Sequence, residues 1–371
     1  MSWLFKKKPK NTFTALVDIG TGTVTAAVIK LPDSDRECPV IVWQHAITVN
    51  FASHPDQKRL LTKTLEAVKE TAEALHAAWP GKIETVNFIL ASPWYEARTS
   101  VTTFSEDRPF KLDERILASI KRDEIKTALK ELPQPYYDIP DDLPIILEYD
   151  ILSLKADGYR LKSLPDRPIK ELELAQYLSV GSEAIISRLR DVLIGAGHFH
   201  QVQFHSFIFS LAQATRKLAG EHSSFLLADV TGERADLGLV SEGVFITQAN
   251  FPMSGRGLVR ILPETKFSGS SKSTALTKAW TDRQNEWLDS LHRVMAQFKR
   301  EVTLPKKVYL LTEPTGEKFF AQALKEAGFR PVILKAVDWQ KVCQLAPVLA
   351  TANFDPGVMP LSLYLSGVAE D

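Results

Sequence analysis

A chain of 371 residues with 44% hydrophobic and 24% charged side chains is long enough for two or three hydrophobic cores, which excludes a disordered or fibrous protein. Lysine plus arginine total 45 and aspartate plus glutamate total 45, so no net field draws the whole molecule to nucleic acid or to anionic lipid. Cys38 and Cys343 are too few for a disulfide framework or a four-cysteine zinc site and point to a reducing, cytoplasmic compartment, while no run approaches the roughly 18 apolar residues that span a bilayer.

The opening MSWLFKKKPK pairs an aromatic and aliphatic cluster with lysines. It reads either as a frayed solvated terminus or as a short segment lying on an anionic membrane surface, and 1–12 is set apart as a basic tail. The apolar run Ala15 to Asp18, a polar turn and a second run from Val24 to Leu31 predict a β-hairpin. Leu61, Leu65, Val68, Ala72 and Leu75 then recur at three or four residues, predicting an amphipathic helix over Lys58 to Trp79.

From Ile83 the pattern changes. A strand over Ile83 to Ala91 precedes a helix that starts from the capping Asp113 and runs to Leu132. Pro133, Pro135, Pro140 and Pro144 punctuate a loop before a strand over Ile145 to Leu154, and Asp157-Gly158 turns the chain into Tyr159-Arg160-Leu161. Residues 83–170 therefore read as a small α+β subdomain inserted in a first half that comprises 13–82 and 171–222.

A serine-capped helix is predicted over Ser182 to Ile194, stopped by Gly195. His198, His200 and His205 follow, spaced so that two of them share a strand face as metal ligands or as half-buried hydrogen-bonding residues. The second half, 223–371, opens with Leu226-Leu227-Ala228-Asp229, a turn through Val230-Thr231-Gly232-Glu233-Arg234, and a second run from Ala235 to Val240: another hairpin with an aspartate before its turn. Pro263 to Thr277 reads as a mobile loop and Glu286 to Arg300 as a helix. Strands alternate with helices, so the class is α/β.

Glycines in such a turn leave backbone N–H groups converging where no Cβ blocks approach, which suits a phosphate. An aspartate just before the turn suits a magnesium ion held through water, which offsets the phosphate charge. Either turn alone is equally a structural hairpin, with its aspartate serving the turn. Two facing each other would grip one nucleotide.

VDIGTGTVTAAVIK, within Leu16 to Lys30, resembles the first phosphate motif of the superfamily of actin, sugar kinases and heat-shock-chaperone ATPases, and DVTGERAD, Asp229 to Asp236, resembles its second. Within it the chain is most similar to the bacterial PilM and FtsA group, of type IV pilus assembly and cell division, along nearly its whole length. Phe88 to Pro93 resembles the strand entering that group's inserted subdomain, and Phe207 to Thr215 the helix linking the halves. Asn250 to Gly255 resembles the loop and helix start beyond the second phosphate motif. Val308 to Thr312 with the helix Glu317 to Ala327 resembles the adenosine element, and Pro360 to Gly367 the closing helix. The resemblance implies an actin-like fold of two duplicated ribonuclease-H-like halves. It implies ATP with Mg2+ held by Asp18 and Asp229, which would also be the catalytic pair. The nucleotide would meet Gly20, Thr21, Gly22, Thr23, Thr231, Gly232, Arg234, Asp236, Gly255, Thr315 and Gly316.

Three departures from the family pattern imply a degenerate site with weak or absent ATPase activity. Thr231, Gly232, Glu233 and Arg234 stand where a glycine-rich run is usual, Glu313-Pro314 replaces a glycine pair in the adenosine element, and the serine-rich segment Phe267 to Thr277 replaces an acidic-and-lysine helix near the ribose. A carboxylate 4 Å from one phosphate charge repels it by about 4 kcal/mol at an effective dielectric of 20, whereas Arg234 would offset this by binding phosphate.

The expected role is that of a cytoplasmic scaffold or adaptor at the inner face of the membrane, of the PilM kind, binding a cytoplasmic peptide of a membrane protein. Trp94, Tyr95, Tyr136 and Tyr137 are candidate peptide anchors or core residues. The alternatives are an FtsA-like division protein forming ATP-dependent filaments and an active ATPase or kinase of the same fold, with self-association open in either.

Overall fold

The structure, a computed structural model, describes residues 13–32, 37–51, 55–79, 83, 85–132, 142–161, 163–197, 199, 201–259, 273–335, 338–339 and 357–368. In chain order the first half runs β1 (Phe13–Ile19), β2 (Thr23–Lys30), β3 (Val40–Thr48), α1 (Gln57–Ala78) and β4 (Thr85–Leu90). An inserted unit follows: β5 (Glu96–Phe110), α2 (Glu114–Glu131), β6 (Pro144–Ala156), β7 (Tyr159–Leu161) and β8 (Ile169–Ser182). The chain returns through α3 (Glu183–Gly197), β9 (Gln201–Ser206) and α4 (Phe207–Ala219). The second half comprises β10 (Phe225–Asp229), β11 (Arg234–Ser241), β12 (Val244–Pro252), α5 (Gly255–Val259), α6 (Ser273–Phe298), β13 (Lys307–Leu311), α7 (Glu317–Glu326), β14 (Arg330–Ile333) and α8 (Val358–Val368).

The duplication is explicit in the sheets. One has the order β3-β2-β1-β4-β9 and another the order β12-β11-β10-β13-β14. In each, three antiparallel strands precede two parallel ones, β1 pairing parallel with β4 and β10 parallel with β13. Both central strands are near-continuous buried runs, FTALVDI and FLLAD, as strands covered on both faces must be. Asp18 ends its run one residue before β1 does, and Asp229 is the last residue of β10. Helix α4 is buried nearly all round, from Phe207 through Thr215, because it packs against strands of both sheets.

Local rules account for the helix starts. Asp56 accepts a hydrogen bond from Arg59 N–H at 2.7 Å, Asp113 accepts from Arg115 N–H and Ile116 N–H at 3.0 Å, and Ser182 Oγ accepts from Ile185 N–H at 3.2 Å. Asp157 and Gly158 both have positive φ, 51° and 82°, as the turn between β6 and β7 requires.

Several expectations shift. The insertion begins at Glu96 and ends at Ser182, later at both ends than 83–170, because β4 belongs to the first half's sheet and β8 to the insertion's sheet β5-β8-β6-β7. Helix α3 continues past Gly195, whose position has open space around it, to Gly197. Helix α6 begins at Ser273, so part of the segment expected as a mobile loop is helical. The 1–12 tail, Tyr136, Tyr137, His198, His200 and residues 263–272 lie outside the described residues. Cys38 is disulfide-bonded, a pairing that the count of two cysteines did not anticipate. Among the described residues no helix is long and apolar enough to cross a membrane.

Insertion, linking helix and second half meet in an aromatic seam. Tyr177 of β8 stacks on Phe209 of α4 with ring centroids 4.0 Å apart, and Phe245 of β12 meets Phe209 edge-on at 5.5 Å. Phe209 is fully buried. Phe209→Ala is expected to destabilise the protein by about 3–5 kcal/mol, read from urea unfolding monitored by circular dichroism.

Candidate functional site

The two aspartates do share a cavity. A cleft of ≈ 260 Å³ between the halves is lined by Asp18, Gly20, Gly22 and Thr23 from the first hairpin and by Asp229 and Thr231 from the second. Leu311, Glu313 and Pro314 close it from the β13 side. Both carboxylates are buried, Asp18 at 8% exposure and Asp229 at 4%. Asp229 Oδ1 accepts from Thr231 N–H at 3.0 Å and from Thr231 Oγ1 at 2.8 Å, an Asx turn that orients the carboxylate at the strand end.

The two turns also touch. Thr21 Oγ1 accepts a hydrogen bond from Glu233 N–H at 2.8 Å, across the halves. A Cβ placed on Gly232 would lie 2.2 Å from Thr21 Oγ1, and one placed on Gly22 would lie 3.2 Å from Gly232 Cα. With Thr21 in this rotamer, the approach leaves no room for a Cβ at Gly232. The backbone of the second turn is engaged further: Arg256 N–H donates to Gly232 O at 3.2 Å, Met253 N–H to Glu233 O at 3.2 Å and Gly255 N–H to Val230 O at 3.0 Å. Arg256 Nε lies 2.8 Å from Glu313 Oε1. Neither partner of this ion pair was singled out as a binding residue, because no motif joins positions so far apart in sequence.

The remaining candidates divide by where the fold puts them. Asp236 leaves the cleft and accepts from Ser92 N–H, beyond the end of β4, at 3.3 Å. Arg234 donates through Nε to Asn250 Oδ1 at 3.2 Å and lines a different cavity of ≈ 680 Å³, together with Asp56, Lys58 and Pro93. It therefore does not supply the phosphate contact expected of it in this arrangement. Gly255 and Gly316 are packing glycines: a Cβ at Gly255 would lie 2.7 Å from Val230 O, and one at Gly316 would lie 2.9 Å from Phe320. Thr315 is exposed beside the cleft and is not among its lining residues.

Trp94 and Tyr95 are not surface anchors. They are 1% and 0% exposed, and Tyr95 Oη donates to Gln248 Oε1 at 3.3 Å, tying the first half to β12. His205 is a structural residue: its Nδ1 lies 3.2 Å from Glu148 Oε1 and its Nε2 3.2 Å from Asn87 Oδ1, with Tyr364 Oη also donating to Glu148. Among the described residues no group of three metal-ligating side chains occurs.

Buried acids oppose the closed arrangement. Burial raises the Asp236 carboxyl above the usual carboxylate range, partly countered by its hydrogen bonds from Ser92. Burial likewise pushes Glu96 up to about 7; Asp236 adds to the rise and Arg234 reduces it.

Against a magnesium nucleotide the cleft is a partial fit. Asp18 and Asp229 line one cavity, the arrangement that a pair holding a hydrated cation would need. In the second turn the Glu233 N–H is already taken by Thr21, and the volume falls below the roughly 300–1,000 Å³ typical of ligand pockets.

No family model matches the chain, and no curated protein matches its sequence. Solved structures do match. A chain of a PilM–PilN type IV pilus biogenesis complex superposes with a TM-score of 0.63 at 14% identity, over 97% of this chain and 99% of that one. A Bacteroides thetaiotaomicron protein with an actin-like ATPase fold matches at 12% identity and a TM-score of 0.45, over 92% of this chain and 100% of that one. The ethanolamine utilization protein EutJ from Carboxydothermus hydrogenoformans matches at 12% identity and a TM-score of 0.41, over 98% and 92%. The chain has the actin-like ATPase fold, and the PilM–PilN likeness together with the duplicated sheets carries that conclusion.

Two outcomes follow. Gly232→Ala is expected to destabilise the closed arrangement by about 1–3 kcal/mol, because its Cβ meets Thr21 Oγ1; Thr21→Gly, which removes both that clash and the Glu233 N–H acceptor, should also destabilise, and the double variant should lose less than the sum of the two single losses in thermal unfolding. Glu96 has a folded pKa raised from 4.5 to about 7, so its contribution to stability is greatest below pH 4.5 and declines as pH rises toward 7. Glu96→Gln should therefore flatten the fall in urea midpoint between pH 5 and pH 8 and raise the midpoint at pH 8.

Proposed function

We propose that the protein is a scaffold or adaptor of the PilM kind, working at the inner face of a membrane by binding a cytoplasmic peptide of a membrane protein. Its interhalf cleft would then bind magnesium nucleotide weakly and turn it over slowly or not at all. One observation carries this reading: the Glu233 N–H, a donor that a phosphate cradle would need, is spent on Thr21 of the facing turn. Hydrolysis in such a fold depends on donors preorganised around the phosphates, and here one such N–H ties the halves together instead. Glu313 and Pro314 support it, placing a carboxylate and a residue without an N–H where a nucleoside would lie. The near full-length likeness to a PilM–PilN complex supports the choice of a membrane-protein peptide as partner.

Magnesium, when bound by Asp18 and Asp229, would offset the charge of a phosphate chain. Both residues would then act as a binding pair for the cation rather than as catalytic groups. Phosphate release at saturating Mg-ATP should stay at the uncatalysed background and be unchanged in Asp18→Ala; turnover abolished by that substitution would favour an ATPase instead. Isothermal titration with the cytoplasmic segment of a single-span membrane protein encoded by a neighbouring gene should show saturable binding. Failure to bind, combined with robust turnover, would overturn the scaffold reading.

A further inference from the structure

The cleft holds three carboxylates, Asp18, Asp229 and Glu313, and the guanidinium of Arg256 stands at its edge. Arg256 is held in two ways. Its Nε lies 2.8 Å from Glu313 Oε1, and its own N–H donates to Gly232 O at 3.2 Å. A Cβ on Gly22 would lie 3.1 Å from Arg256 Cγ and 3.2 Å from its Nε, so the side chain lies directly over the first phosphate-type turn. The two side chains are 24% and 28% exposed although the contacting Nε is buried, so the outer guanidinium nitrogens face the entering ligand first.

We propose that the Arg256–Glu313 ion pair gates the cleft, so that a phosphate chain enters by taking Arg256 away from Glu313. A guanidinium fork matches phosphate as well as it matches carboxylate, and a multiply charged phosphate chain is the stronger partner. Glu313 opposes entry twice, by occupying Arg256 and by repelling the incoming anion from the cavity wall. The same pair that covers the first turn therefore supplies the cation that binds the ligand once Arg256 is released from Glu313. A ligand shifts such an equilibrium only through the difference in its affinity for the two states, and Arg256 provides that difference. This inference rests on the reading that the cleft takes a magnesium-bound phosphate group and is independent of the peptide partner.

The test is isothermal titration of the full chain with Mg-ATP and, separately, with magnesium tripolyphosphate. Wild type, Glu313→Gln, Glu313→Ala and Arg256→Gln are compared after thermal melting confirms that each is folded. Both Glu313 variants should bind both probes about tenfold more tightly than wild type, and Arg256→Gln should bind no better than wild type. Binding by the Glu313 variants equal to or weaker than a measurable wild-type affinity overturns the gate while leaving the nucleotide reading intact. Arg256→Gln binding as tightly as Glu313→Gln also overturns it, since Arg256 would then be only a plug. If neither wild type nor any variant binds either probe, the nucleotide reading fails and takes the gate with it.

Discussion

The hydrogen bond from Glu233 N–H to Thr21 Oγ1 joins two turns that lie 212 residues apart in sequence, and the relation of the halves is organised around it. Because the two sheets repeat one strand order, each sends its first hairpin turn toward the other, and Gly22 and Gly232 let the backbones close to contact. Elsewhere the halves are fastened by Tyr95 to Gln248, by Asp236 to Ser92 and by the Tyr177, Phe209 and Phe245 seam on α4. Held at several separated places, the turns cannot part unless the interface around them yields as well.

Packing and electrostatics pull against each other in this arrangement. Tight backbone contact and buried aromatic surface favour closure. Glu96 and Asp236, both raised by burial, charge less readily there than in water, so the closed interface is weaker at high pH than at low pH. Glu233 at the second turn, expected to repel phosphate, has its N–H engaged across the cleft and is 2% exposed.

How far the sequence could be read depended on the range of each interaction. Hairpins with an aspartate before each turn were legible because alternation of apolar runs and turn residues is local, and α1 and α2 were legible from a 3.6-residue period and a capping aspartate. Strands β5 and β8 escaped notice: β5 is half-exposed and rich in threonine, serine and charge, and β8 opens with Glu171 and Glu173 interleaved among apolar residues and continues with scattered polar ones. Trp94 and Tyr95 illustrate the same limit, since an aromatic pair after a strand looks alike whether it meets a partner or another part of the chain. Arg256 could have been suspected as a cation close after the second phosphate-type turn, yet its partner Glu313 follows 57 positions later.

By itself the sequence determined the α/β class, the repeated hairpins with Asp18 and Asp229 before their turns, and an insertion in the first half, because each is written in residues near one another along the chain. Tertiary structure alone decided that the two turns meet, that Asp18 and Asp229 line one cavity, that Arg234 and Asp236 are turned out of it, and that Arg256 pairs with Glu313 at its edge. Those outcomes depend on how two sheets are oriented about a buried helix, and that orientation comes from summed packing over many distant residues.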